Sequence, residues 1–132
     1  MDIMIIVYAV LAYFIGSIPS GLIIGKTFFN TDVRQYGSKN IGATNTYRVI
    51  GLKAALPVFL CDALKGAAGV VLLSFYGPMY MILGGILAMM GHNWSIFLGF
   101  KGGRGVATGL GVLIALSPLV ALLCFLVWGI IV

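Results

Sequence analysis

Five apolar runs alternate with polar segments along this chain, and their lengths predict helices that cross a membrane. The runs cover residues of about 3–25, 54–76, 79–98, 105–117 and 119–132. A helix needs roughly 20 mainly apolar residues to span a bilayer. Gly77-Pro78 and Ser117-Pro118 are turn signals between neighbouring runs. We therefore predict an all-α fold, a polytopic transmembrane helix bundle of about four to five spans that forms a single integral membrane domain over residues 1–132.

The last apolar run is shorter than the others. From Leu119 to Val132 it supplies 14 residues, whereas a complete span needs about 17–25. We therefore expect the fifth span to be incomplete and the chain to be a C-terminally truncated form of a longer protein.

The composition supports a membrane protein and excludes several kinds of catalytic site. Hydrophobic residues make up 61% of the chain and charged residues 8%, against about 45–50% and about 25% in soluble domains. Asp and Glu together number three, and there is one His. This inventory is too small for a paired-carboxylate glycosidase or a polyhistidine zinc site. We expect neither a metal nor a cofactor.

The distribution of positive charge predicts how the chain is oriented. The formal net charge is +5, but the basic residues alternate with the apolar runs, which argues against a nucleic-acid partner. Cytoplasmic loops of membrane proteins are enriched in Lys and Arg. We therefore expect the segments 26–53 and 91–105 to be cytoplasmic loops and the amino terminus to lie outside. Seven of the eight basic residues fall in these segments: Lys26, Arg34, Lys39, Arg48, Lys53, Lys101 and Arg104.

Glycine pairs four residues apart suggest sites of close helix packing. Gly21 and Gly25 form one such pair, and Gly105 and Gly109 form another. Small residues at this spacing lie on one helical face and let two helix backbones approach.

A first polar cluster follows the first apolar run. Gly16-Ser17-Ile18-Pro19-Ser20-Gly21 precedes Lys26, and proline or glycine at the end of a membrane helix frees backbone groups that need polar partners. Ser17 and Lys26 are therefore candidate binding residues. The alternative is a helix kink in which a serine hydroxyl bonds back to the helix.

A second cluster lies in the segment 26–53. Small residues with hydroxyl and amide groups, followed by a guanidinium, can form an anion-binding concavity. The alternative is an ordinary solvated loop. The candidate residues are Ser38, Asn40, Gly42, Ala43, Thr44, Asn45 and Arg48.

A third cluster combines glycines and cations immediately before a predicted helix. Backbone N–H groups and the helix dipole at such a position attract phosphate. The alternative is a basic loop beside a membrane helix. The candidate residues are His92, Lys101, Gly102, Gly103, Arg104 and Gly105.

Two charged residues fall inside the second apolar run. Asp62 and Lys65 are three residues apart, so they can pair on one helical face. Charges within a membrane usually face a bundle interior or a watery cavity. A helix-stabilising ion pair is favoured slightly over a direct role with substrate.

Taken together and in this order, the three clusters resemble the three motifs of the bacterial acyl-phosphate:glycerol-3-phosphate acyltransferase family. Motif one is matched by Gly16, Ser17, Pro19 and Lys26. Motif two is matched by Gly37, Ser38, Asn40, Gly42, Ala43, Thr44, Asn45 and Arg48. Motif three is matched by Gly91, His92, Phe97, Phe100, Lys101, Gly102, Gly103, Gly105, Val106, Ala107 and Thr108. The chain departs from the family pattern at Ile41, Ser95 and Arg104, where Pro, Pro and Lys are common.

The resemblance implies a fold, a reaction and a location. About seven helices are expected in the family, of which this chain would hold four to five. The implied reaction moves a fatty acyl group from acyl phosphate to the 1-hydroxyl of glycerol-3-phosphate, giving lysophosphatidic acid and phosphate for phospholipid synthesis. The implied location is the bacterial plasma (inner) membrane. The alternative is a non-catalytic membrane fragment or half of an anion-transport bundle.

The resemblance also implies roles for the three clusters. The residues of motif two would bind one phosphate, while Lys101, Arg104 and the adjoining glycines would bind another and offset charge on the reacting carbonyl. Arg48 and Lys26 would orient glycerol-3-phosphate. The hydroxyl proton would pass to the substrate's own phosphate, or to His92 acting as a base.

Overall fold

The computed structural model describes residues 2–132 and confirms the all-helical fold, with no strand in that part of the chain. Three single turns of 3₁₀-helix, Val33–Gln35, Ser74–Tyr76 and Ile96–Leu98, lie between the longer elements. The α-helices are α1 (Ile3–Ser17), α2 (Ser20–Phe29), α3 (Ala43–Val49), α4 (Leu52–Leu72), α5 (Pro78–Asn93), α6 (Val106–Leu116) and α7 (Pro118–Ile131).

Local sequence signals determine where several helices begin. Asp2 precedes α1, and its carboxylate accepts a hydrogen bond from the Met4 N–H at 3.0 Å. Proline at the first helical position, which needs no N–H partner there, opens α5 and α7. Both helices therefore start at the predicted turn signals.

The first apolar run, for which we predict one span over residues 3–25, is not one straight helix in the structure. It is divided into α1 and α2, which are bent by 44°. The break lies at Ile18-Pro19, because proline disfavours helical geometry in the residue before it. α2 continues to Phe29, and α3 forms inside a segment predicted to be loop.

Two helices are long and apolar enough to cross a membrane when the 3₁₀ turns that follow them are included. They are α4, extended to Leu52–Tyr76, and α5, extended to Pro78–Leu98. The bent pair of α1 and α2 is a third candidate. α6 and α7 are shorter apolar helices. The total of four to five spans stays a prediction.

Glycines bring α1 into close contact with α5. A Cβ on Gly16 would collide with the backbone carbonyl of Ala88, and a Cβ on Gly91 would collide with that of Tyr13. The two helices therefore touch backbone to backbone, which only glycine permits.

The same arrangement joins α4 to α5 and to α6. Gly69 and Gly84 face one another between α4 and α5, so that a Cβ on either would meet the other's carbonyl oxygen. Between α4 and α6, a Cβ on Gly66 would collide with the Thr108 carbonyl, and one on Gly111 with that of Ala63. α4 is thus held against two neighbours at backbone distance.

The glycine pairs that the sequence singled out do not make these helix contacts. Gly21 packs on the carbonyl of Ile41, and Gly25 on that of Thr31, both in the segment after α2. Gly109 is only in ordinary contact with the side chain of Met89. The helix packing that these spacings would allow is not made by these pairs, because spacing within one helix does not show which face meets a neighbour.

Candidate functional site

A cavity of about 190 Å³ opens where α3, α4, the end of α5 and the start of α6 meet. Its walls come from the second and third polar clusters and from α4. The lining residues are Ser38, Asn40, Gly42, Ala43, Thr44, Asn45, Arg48, Phe59, Asp62, His92, Arg104, Gly105, Val106 and Ala107. Segments that are far apart in the sequence therefore meet at one polar site.

Asn45 organises the loop before α3. Its side chain is 2% exposed, and its Nδ2 donates to the carbonyls of Val33 (3.0 Å), Tyr36 (3.2 Å) and Asn40 (2.9 Å). Its Oδ1 accepts from the Ser38 N–H at 3.0 Å. The amide is fully used in holding the loop, so the structure does not support the prediction that its side chain binds phosphate directly.

Asn40 also shapes this loop. Its Oδ1 accepts from the Gly42 N–H at 2.8 Å, closing a tight turn immediately before α3. The Gly42 N–H, predicted to bind phosphate, is therefore already paired with the Asn40 side chain. Ser38 and Thr44 are exposed at the cavity, and their hydroxyls make no protein hydrogen bond among residues 2–132.

The glycines of the third cluster hold the loop against α5. The Gly102 N–H donates to the Asn93 carbonyl at 2.9 Å, and the Gly103 N–H donates to the His92 carbonyl at 3.1 Å. Both N–H groups are therefore unavailable to a phosphate, contrary to the role predicted for them. A Cβ at Gly102 would overlap the His92 carbonyl, so this position requires glycine because the backbones approach so closely.

Two arginines supply the positive charge at the cavity. Arg48 comes from α3 and Arg104 from the loop before α6, and both are exposed. In the described chain no carboxylate lies within 4.0 Å of either guanidinium. Both charges are thus free to attract an anion. The first turn of α6, formed by Val106 and Ala107, lies beside Arg104. Unpaired N–H groups in such a first turn also favour a negatively charged ligand.

Lys26 lies away from the cavity, in a cluster around Asp32. The Lys26 Nζ is 3.7 Å from Asp32 Oδ2, and Arg34 hydrogen-bonds the same carboxylate through two nitrogens, at 3.1 and 2.9 Å. Arg34 holds the pKa of Asp32 below its ordinary value, and Asp32 raises the pKa of Arg34. The structure therefore does not bring Lys26 to the site predicted for it.

Ser17 is also outside the cavity. Its buried hydroxyl donates to the Tyr13 carbonyl at 2.9 Å, which is the back-bonded kink considered as the alternative. The Ser17 carbonyl, freed by the break after α1, accepts from the Ser95 Oγ at 2.5 Å. Ser95, one of the departures from the family pattern noted in the sequence, thus has a structural role. Lys101 is exposed and does not line the cavity either.

A buried group of three ionisable side chains lies at the cavity, and two of them line it. Asp62 and Lys65 project from α4, and His92 projects from the end of α5, each at most 6% exposed. Lys65 Nζ lies 2.9 Å from Asp62 Oδ1 and 3.0 Å from His92 Nδ1. Asp62 and His92 line the cavity, whereas Lys65 lies behind them. The ion pair predicted within α4 is present, and its aspartate lines the cavity.

Sequence reasoning missed several lining residues. Phe59 lies three residues before Asp62 on α4, so helical spacing from Asp62 was the signal that could have found it. Val106 and Ala107 were recognised as motif matches but were not assigned to the site. Among residues 2–132, no three His, Cys, Asp or Glu side chains are grouped so that they could hold a metal ion.

These features define a helical membrane protein with a small, arginine-lined cavity. The family model for glycerol-3-phosphate acyltransferase matches residues 6–132. Glycerol-3-phosphate acyltransferase 2 of Moorella thermoacetica is 49% identical over 120 residues, which cover 90% of this chain and 62% of that protein. The chain therefore belongs to the glycerol-3-phosphate acyltransferase family, as its motifs predicted.

Two solved structures share the fold. The crystal structure of PlsY, an integral membrane glycerol 3-phosphate acyltransferase, in the glycerol 3-phosphate form has a TM-score of 0.89 at 42% identity, covering 96% of this chain and 64% of that one. The lysophosphatidic acid form of PlsY has a TM-score of 0.84 at 40% identity, covering 94% and 62%. The similarity confirms the all-α membrane fold.

The chain spans only part of its relatives. It covers 62%, 61% and 55% of the length of the first curated proteins that it matches, which come from Moorella thermoacetica, Fusobacterium nucleatum and Lactiplantibacillus plantarum.

Proposed function

We propose that this protein transfers a fatty acyl group from acyl phosphate to the 1-hydroxyl of glycerol-3-phosphate, giving lysophosphatidic acid and inorganic phosphate. The supporting observation is the cavity in which motifs two and three meet around two unpaired arginines. Similar structures are described in glycerol 3-phosphate and lysophosphatidic acid forms, which correspond to one substrate and the product.

The chemistry of the cavity suits two phosphate-bearing substrates. Arg48 binds the phosphate of glycerol-3-phosphate through charge-assisted hydrogen bonds. Arg104 and the first turn of α6 bind the phosphate of the acyl donor and offset the charge that develops on its carbonyl. The exposed apolar side chain of Phe59 lies at the same wall, where the acyl chain can leave the cavity for the lipid.

The reaction needs little from the protein beyond positioning, because an acyl phosphate is already activated. The 1-hydroxyl oxygen forms a bond to the acyl carbon, and the bond between that carbon and the phosphate oxygen breaks. Phosphate leaves and takes the hydroxyl proton. The cavity would open to the cytoplasm, from which the water-soluble phosphate ends of the substrates can enter it. The product would remain in the plasma membrane.

Direct assay of the purified chain tests this function. The chain in a lipid mesophase, given palmitoyl phosphate and glycerol-3-phosphate, should form lysophosphatidic acid above a protein-free control, followed by mass spectrometry. Folded protein that forms no product would contradict the proposal for this chain. Phosphate flux across liposomes without product would instead indicate an anion transporter.

A matched pair of charge deletions tests the phosphate site. Arg48→Ala should raise the KM for glycerol-3-phosphate about ten- to a hundredfold, since a hydrogen bond to a charged group contributes about 1.5–3 kcal/mol. Lys53→Ala removes the same charge from an exposed position outside the cavity and should leave that KM nearly unchanged. Equal effects of the two variants would show that Arg48 acts only through general charge.

A further inference from the structure

The contacts of Lys65 decide which nitrogen of His92 carries the proton. Lys65 Nζ donates to the Ile18 carbonyl at 2.8 Å and lies 3.0 Å from His92 Nδ1. It is also 2.9 Å from Asp62 Oδ1, with which it forms an ion pair. One ammonium therefore connects the break after α1, the carboxylate on α4 and the imidazole at the end of α5.

Lys65 is the cation that neutralises Asp62. The Asp62 carboxylate is 2% exposed, and a buried charge is costly unless it is paired. Among the described residues, the only other ionisable nitrogen within 4.0 Å of it is His92 Nδ1, at 3.7 Å. A charged imidazole there would lie 3.0 Å from the ammonium, which is unfavourable for two positive charges. Asp62 and Lys65 are therefore the charged pair, and His92 is neutral.

An ammonium has no lone pair, so it can only donate. The 3.0 Å contact therefore makes His92 Nδ1 the acceptor and leaves the ring proton on Nε2. Nε2 faces the loop before α6, because a Cβ on Gly103 would overlap it. In the part of the chain that the structure describes, Nε2 has no protein partner, yet it is not among the fully enclosed polar atoms. His92 also lines the cavity.

We propose that His92 serves the cavity as a fixed hydrogen-bond donor through Nε2–H, and that Lys65 is the positioning residue that holds this tautomer. His92 then cannot act as the general base, because the nitrogen that could accept a proton already accepts a hydrogen bond from Lys65. The acceptor is an oxygen of a bound phosphate or of the reacting carbonyl. The identity of this acceptor rests on the proposed acyl transfer. The tautomer of His92 is independent of the proposed function.

Nitrogen-15 NMR of the intact chain tests the tautomer without any assay of activity. His92 is the sole histidine in the sequence, so a sample labelled with ¹⁵N-histidine gives one imidazole spectrum. At neutral pH we expect Nε2 to be protonated and Nδ1 to be unprotonated. A protonated Nδ1 would overturn the proposal. Lys65→Met should give a mixture of both tautomers. An unchanged tautomer in a folded variant would show that Lys65 does not determine the tautomer of His92.

Two substitutions of His92 separate a donor from a base. His92→Gln places an amide N–H near the position of Nε2, whereas His92→Asn places its amide near Nδ1 and leaves the Nε2 position empty. We expect His92→Gln to keep kcat within about tenfold of the parent chain and His92→Asn to lose about a hundredfold or more. Equal loss in both variants, with both folded, would contradict the donor role.

Titration with glycerol-3-phosphate keeps this proposal distinct from the proposed function. Binding of a phosphate or hydroxyl oxygen at Nε2–H should shift the Nε2 signal and leave the Nδ1 signal nearly in place. A chain that shows the predicted tautomer but forms no lysophosphatidic acid would contradict the acyltransferase assignment and leave the Lys65–His92 geometry standing. An active chain with a protonated Nδ1 would support the acyltransferase assignment and contradict the proposed tautomer.

Discussion

Replacing Gly69 by alanine should destabilise the contact between α4 and α5. An ideal Cβ at this position lies 2.5 Å from the Gly84 carbonyl oxygen and 2.7 Å from the Ala88 Cβ, whereas ordinary contact begins at 3.4 Å. The helices would have to separate by about 0.9 Å, the difference between 3.4 and 2.5 Å. The obstructing oxygen is part of the backbone and cannot rotate aside. Overpacking of this kind costs about 1–3 kcal/mol.

A control variant isolates that packing cost. Alanine is favoured over glycine in a helix by about 1 kcal/mol, so Gly69→Ala combines a gain in helix propensity with the steric collision. Gly129 lies in α7 with nothing within 4 Å of its Cβ position, so Gly129→Ala gains helix propensity without a collision. The helix propensity is common to both variants. The difference between them should therefore be about 1–3 kcal/mol, with Gly69→Ala the less stable.

The assay is unfolding in mixed micelles by increasing SDS, followed by the helical circular dichroism signal. Gly69→Ala should unfold at a lower SDS fraction than the parent chain, and Gly129→Ala at the same or a slightly higher one. Equal stability of the two variants would refute the inference that α4 and α5 meet at backbone distance through Gly69.

Three further predictions concern the polar segments. Asn45→Ala should leave the Ser38 N–H and three carbonyls without their partner, so the segment before α3 should be cut faster in limited proteolysis, with a cost of about 1–3 kcal/mol. Asp32, whose folded pKa is lowered by Arg34, should stabilise its loop fully above pH 3.8 and lose that contribution as the pH falls through the lowered value. Pepsin cleavage should reveal the change, and Asp32→Asn should not show it. Gly103→Ala should displace the His92 ring and lower kcat more than it raises the KM for glycerol-3-phosphate, and an unchanged kcat would contradict the placement of His92.

Much of the helical architecture could be predicted from the sequence because it depends on local properties. Apolar length identified α4 and α5, and the pairs Gly77-Pro78 and Ser117-Pro118 placed the starts of α5 and α7. The three polar clusters were found because their residue types are unusual beside apolar runs. The resemblance to a family predicted substrate-binding roles for all three clusters, of which only the second and third meet at the cavity.

The details that were missed depend on contacts between distant segments. The N–H groups of Gly102 and Gly103 look available in the sequence, and only the packing of their loop on α5 shows that they are used. Gly16 and Gly91 are 75 residues apart, so no periodicity within a helix reveals that both lie between α1 and α5. Asn45 has the same chemistry as a phosphate ligand, and only its four loop partners show that it is structural.

The ion pair on α4 has a consequence for the order in which the chain is assembled. A lysine or aspartate at the centre of a helix costs about 2.5–3.5 kcal/mol each when the translocon inserts it. Asp62 and Lys65 are one turn apart near the middle of the candidate span Leu52–Tyr76, so this helix would carry its own counter-ion on insertion. Ile18 is synthesised earlier and can receive a Lys65 N–H as soon as α4 packs on α1. His92 is synthesised last, and it completes the set of contacts around the Lys65 ammonium.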